Sequence, residues 1–265
     1  MIYKILLLLG LIAVPFYSQS QETCASNSNI PYEWPGHNNW FFAPNAYSGS
    51  VMNMSTGVVT SVGDAWNPVS SYEGVSAASD DNGDLLFYTN GRKLWKGTGA
   101  GVTKTYGGLL EGNENGIANG SAAQGVITVR HPLNANIYYI FTTDDALAPT
   151  KGLNYFTFDS NGNHLSGPIR LGNFRTTEGI SATSHDNGVD VWVTVLESGT
   201  GNFNTYLVEC TGVASTPIVS SVGSAVTGNR ERGGISFSWD GNYFASAHAN
   251  WWPSNNKILS IYQFN

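Results

Sequence analysis

A regular spacing restricts this chain more than any other feature. Four segments align along it: EGVSAASDDNGDLLFY (73–88), QGVITVRHPLNANIYYIF (124–141), EGISATSHDNGVDVWV (178–193) and GGISFSWDGNYFAS (233–246). Their anchoring glycines, Gly74, Gly125, Gly179 and Gly234, lie 51, 54 and 55 residues apart. Each segment opens with small and β-branched residues, as in Val75 to Ser79 or Ile180 to Thr183. A polar turn of Asp, Asn and Gly follows, residue types that tolerate the backbone angles of a hairpin. An apolar, aromatic run comes next: Leu85 to Tyr88, Ile137 to Phe141, Val191 to Val195, Tyr243 to Ala245. Such a hairpin cannot bury both of its faces alone, so copies of it must stack on one another.

A third strand is legible in LNYFTF (153–158), NTYLVE (204–209) and ILSIYQF (258–264). TPIVSSVGSA (216–225) matches TGVVTSVGDA (56–65) three periods upstream, which supplies a fourth. Four-stranded sheets repeating every 40 to 55 residues or so predict an all-β chain folded as a β-propeller. Blade faces pack on neighbouring blades, so Phe87 and Trp192 are expected between sheets. The units run about 38–72 (partial), 73–123, 124–177, 178–232 and 233–265 (partial). The first has NNWFFAP (38–44), SVMNMS (50–55) and GVVTSV (57–62) but no leading strand, and the last shows three strands. These ends predict a partial propeller of four to five blades. The alternative is a closed four-bladed ring in which Gly57 to Val62 completes the last sheet.

Composition agrees with strands and tight turns. Charged residues are 12% of the chain, about half the average for soluble domains, while glycine (31) and aromatic residues are abundant. No segment of helical length carries apolar residues at i, i+3, i+4 and i+7. The net charge of −7 disfavours nucleic acid, which requires clustered Lys and Arg. Residues 1–20 read as a secretory signal peptide: Lys4, an apolar run from Ile5 to Phe16, and cleavage after Ser20. That run is too short to span a bilayer, so no membrane insertion is expected once it is removed. Residues 21–37 are expected to form a flexible N-terminal segment, and 38–265 the propeller. An exported chain could pair its two cysteines, Cys24 and Cys210.

NNWFF, EG-x-S-A followed by D-x-NG-x-LLFYTNG, and NANIYYIFTTD resemble the N-terminal propeller of large secreted Bacteroidetes surface proteins associated with gliding motility or type IX secretion. ISFSWDGNYFASA is similar to WD40-like PD40 repeats, with Trp239 where proline is usual. The resemblance covers residues 38–265. It implies extracellular display and a binding or adhesive role, and it carries over no catalytic residues. Two turns, Ser79-Asp81-Gly83 before Phe87 and Ser184-Asp186-Gly188 before Trp192, look loosely like sialidase Asp boxes, which are structural hairpins.

The candidate site lies where the first strands begin. Glu73, Gln124, Glu178 and Glu231 with Arg232 occupy the repeated position and are expected on one rim. Carboxylates there could bind a cation or a sugar, or perform acid–base chemistry; a plainer reading is that they cap strand starts. A glycosidase needs two carboxyl groups about 5–10 Å apart. Trp251 and Trp252, in a polar loop, are a second candidate, since indoles stack on sugars or anchor protein partners. The histidines are scattered and DDNGD (80–84) lacks the distal Glu of a calcium loop; neither a metal nor a cofactor is predicted. The expected function is a secreted, non-enzymatic module binding protein or glycan, the alternative an extracellular propeller-type glycoside hydrolase or lectin.

Overall fold

The computed structural model describes residues 39–42, 49–62, 71, 73–98, 103–106, 122–143, 145–146, 151–249 and 257–264. The signal segment, residues 21–37 with Cys24, and Trp251 and Trp252 lie outside them. Among the described residues the chain is all-β, with one 3-10 turn at Gly228–Glu231 and no α-helix.

Five antiparallel sheets follow one another along the sequence. Sheet one holds β1 (Asn39–Phe42), β2 (Gly49–Asn53) and β3 (Val59–Val62). Sheet two holds β4 (Ser76–Ser79), β5 (Leu85–Thr89), β6 (Leu94–Lys96) and β7 (Thr103–Tyr106), and sheet three β8 (Val126–His131), β9 (Asn134–Thr142), β10 (Leu153–Asp159) and β11 (His164–Leu171). In sheet four, β12 (Thr176–Ser184) and β13 (Val191–Glu197) lead to β14 (Phe203–Glu209). The outer edge of β14 is shared by β15 (Gly212–Val213) and β16 (Ile218–Ser220). Sheet five holds β17 (Gly233–Phe237), β18 (Tyr243–Ala249) and β19 (Lys257–Gln263).

Local chemistry accounts for the hairpins. Asp80 Oδ1 accepts the backbone N–H groups of Asn82 and Asp84, both at 2.9 Å, and Gly83 takes the positive φ of +82° that the turn requires. Asn187 fills the same role in sheet four, accepting from Val189 and Asp190 at 3.0 and 2.9 Å. These two side chains are spent on their own turns, while Asp81 of the first Asp-box-like turn pairs with Arg130 of sheet three.

Four apolar clusters join the five sheets in series. Phe41, Val51 and Val62 meet Tyr88 and Trp95 between sheets one and two. Phe87 and Leu94 meet Val126 and Tyr138 between two and three. Val129 and Phe141 meet Ile180 and Val193 between three and four, and Phe203 meets Ile235 and Phe244 between four and five. Phe87 is fully buried and packs edge-on to Tyr138, 5.4 Å between ring centres, the inter-sheet role expected of it. Burial of such a ring contributes about 2–3 kcal/mol. Trp192 stays half-buried beside His185 and Phe264.

The leading strands β4, β8, β12 and β17 adjoin one another in chain order, and β1 adjoins β4. One alternative is corrected here. Val59 to Val62 pairs with β2, register Gly49↔Val62 to Met52↔Val59, so this strand completes sheet one rather than sheet five. Its Val62 is buried against Tyr88 of sheet two, which fixes that choice.

Candidate functional site

The anchoring glycines bring the leading strands into backbone contact. A Cβ on Gly74 would stand 2.8 Å from both Ala122 O and Gly125 N. One on Gly179 would stand 3.1 Å from Ile235 N and 3.2 Å from the Gly234 backbone. Only hydrogen fits at Gly74 and the fit at Gly179 is tight, so the close approach of the strands favours glycine at these two positions.

Around these contacts the repeated polar residues tie one sheet to another. Gln124 forms a parallel bridge with Gly179, and its Oε1 accepts the N–H of Ile235 at 2.9 Å, reaching from sheet three to sheet five. Glu178 is 1% exposed. Its Oε2 accepts from Ala123 N at 2.8 Å and its Oε1 from Ala146 N at 3.0 Å, so a carboxylate at the start of sheet four holds backbone flanking sheet three. Burial pushes its pKa up to about 7; the two N–H bonds oppose the rise, and the Asp145 and Glu73 charges add to it.

Glu231 is as deeply buried and is held differently. Arg175 Nη2 donates to both its oxygens, at 3.1 and 2.8 Å. Ser198 Oγ and Gly228 N donate to Oε1 at 2.7 and 2.9 Å. It locks the 3-10 turn before sheet five to the start of sheet four.

Glu73 is the exception, because it is exposed. Partial burial raises its pKa, Arg232 opposes that rise, and Asp145 adds to it. Arg232 is half-buried. The structure thus places Glu73 within electrostatic reach of Arg232 on one side and Glu178 on the other, with Gln124 at the same convergence of strands, whereas Glu231 serves a separate contact. Asp145, fully buried and acting on both Glu73 and Glu178, was not singled out in the sequence. Its signal was weak: the second of two adjacent aspartates, Asp144 and Asp145, with no motif around them. No cluster of three metal-ligating side chains occurs among the described residues.

Cys210 is disulfide-bonded, and the other cysteine of the chain is Cys24.

No known family profile and no curated protein matches the chain. Sixteen chains of solved structures do. A lectin from Burkholderia pseudomallei matches at 13% identity and TM-score 0.42, over 85% of this chain and 67% of the lectin. A putative 6-phosphogluconolactonase from Bacteroides uniformis matches at 15% identity and TM-score 0.37, over 86% of this chain and 79% of that one. The tricorn protease matches at 12% identity and TM-score 0.32, over 82% of this chain and 19% of the protease. Resemblances this distant transfer neither ligand nor reaction.

Proposed function

We propose that the chain is a secreted, non-enzymatic β-propeller, whole or partial, that binds a ligand at the rim where its leading strands start. The serial face-to-face packing of the sheets and the adjacency of β4, β8, β12 and β17 support the radial arrangement. One observation carries the functional reading. Gln124, Glu178 and Glu231 have acceptors filled by groups of neighbouring sheets, which leaves Glu73, beside Arg232, as the accessible carboxylate of this rim. A guanidinium next to a carboxylate suits a ligand rich in hydroxyl groups, donating and accepting together. Carbohydrate is therefore the first class to test, and a protein surface the second. Export, surface display and kinship with gliding-motility or type IX secretion proteins belong to the same proposal and rest on the sequence alone.

A hydrolase reading has one observation in its favour: Glu178, with a pKa near 7, is poised for proton transfer at neutral pH. Against it stands geometry, since both its oxygens already accept backbone N–H groups and solvent scarcely reaches it. Glycan-array binding together with a panel of chromogenic glycosides separates the two. The expected result is saturable binding, weakened at least about tenfold in Glu73→Gln/Arg232→Ala, and no turnover. Turnover lost in Glu178→Gln would overturn the proposal.

A further inference from the structure

Gln124 sits where four sheets converge. Its carbonyl carbon lies 3.6 Å from the place a Cβ on Gly74 would take, and Gly74 follows Glu73. Its backbone bridges Gly179, which follows Glu178. Its Oε1 lies 2.9 Å from the Cβ position of Gly234, two residues after Arg232, and accepts the N–H of Ile235 at 2.9 Å.

That last bond engages only half of the amide. A glutamine side chain carries one acceptor oxygen and an NH2 group with two donors. The Ile235 bond fixes which end is which, because only the oxygen can accept from a backbone N–H. Nε2 has no hydrogen-bond partner among the described residues, yet it is not one of their buried unsatisfied atoms, and Gln124 as a whole is half-buried. Water therefore reaches it. A donor held in place before any ligand arrives costs little to engage.

The surrounding charges narrow what it can engage. Glu73, Glu178 and Asp145 act on one another as like charges, and Arg232 already faces Glu73. A carboxylate on the ligand would join this repulsion. Hydroxyl groups would meet donors at Gln124 and Arg232 and an acceptor at Glu73 without it.

We propose that Gln124 contacts the rim ligand directly, its Nε2 donating to one sugar hydroxyl while a neighbouring hydroxyl donates to Glu73, and that the site takes uncharged sugars and rejects uronates. This assignment rests on the rim being a ligand site, and adds to that reading a further contact residue and the charge class of the sugar.

Isothermal titration at pH 8, above the Glu178 pKa of about 7, tests it on the full mature chain. The probes are maltotetraose, cellotetraose and β-1,4-galactotetraose, each also in a form oxidised to the uronate at C6. At least one neutral tetrasaccharide is expected to saturate with Kd of about 0.1–1 mM. Its uronate should bind at least about tenfold more weakly, a gap that narrows in about 0.5 M salt. Gln124→Glu keeps an acceptor for Ile235 N–H and exchanges the donor for a second acceptor, so neutral binding should weaken about tenfold; thermal unfolding checks that the variant stays folded. Undiminished neutral binding in folded Gln124→Glu overturns the assignment, as does uronate binding as tight as neutral binding in the parent. The uronate comparison needs no variant, so it decides even if Gln124→Glu does not fold. Binding that is lost in Glu73→Gln/Arg232→Ala but unchanged in Gln124→Glu removes this assignment alone. No saturation by any neutral tetrasaccharide at about 10 mM removes the rim reading together with it.

Discussion

Glu178 and Glu231 are buried equally deeply, and both cross from one sheet to another. Glu231 meets a guanidinium, a hydroxyl and a backbone N–H. Glu178 meets two backbone N–H groups and faces Asp145 and Glu73. Burial acts on both, and the donors around each decide how it is held. Glu231 is held by these donors from two directions and serves as a fixed lock. Glu178 keeps a proton more readily than an ordinary glutamate, and its contact is therefore sensitive to pH.

The largest expected effect breaks the lock. Glu231→Leu removes one partner of a buried pair and leaves Ser198 and the Gly228 N–H without their acceptor. Loss of about 3 kcal/mol is expected, at the low end of such cases because Arg175 can turn to water; urea denaturation measures it. Next comes the pH response of Glu178. Its folded pKa of about 7 lies above the ordinary 4.5, so the folded chain holds a proton that the unfolded chain releases. That contribution is complete below about pH 4.5 and is lost as pH rises through about 7, a fall of about 3 kcal/mol. Denaturation midpoints across this range should fall in the parent and change little in Glu178→Gln.

Smaller still is Gly74→Ala. Its methyl group would meet two backbone atoms at 2.8 Å, which cannot swing aside like side chains, and about 2 kcal/mol should be lost. Smallest is Asp145→Asn. With one acid removed, the pH at which stability falls should shift downward by less than about one unit, visible as a displaced midpoint in the same titration.

The strands were legible because their signals are local. Leu85 to Tyr88, Ile137 to Phe141 and LNYFTF each sit within an observed strand, bounded by turns whose Asp, Asn and Gly bond within a few residues. Glycine spacing announced the leading strands for a related reason, since a Cβ on Gly74 would collide with backbone and one on Gly179 would crowd it. Glu73, Gln124, Glu178 and Glu231 were legible as lying at or just before the leading strands, but not in role. Glu178 finds its partners 55 and 32 residues away, and no local pattern says whether a carboxylate at a strand start meets solvent or the neighbouring sheet. The placement of GVVTSV was ambiguous too, because sequence likeness to 216–225 marks an outer strand without saying which sheet receives it. Packing of Val62 on Tyr88 decides that.

Direct titration of carbohydrate onto the mature chain, with product release followed in the same samples, tests the central claim that this rim holds a ligand without transforming it. Binding that survives Glu178→Gln, fails in Glu73→Gln/Arg232→Ala and yields no product is the predicted result. Release of product that stops in Glu178→Gln would contradict it.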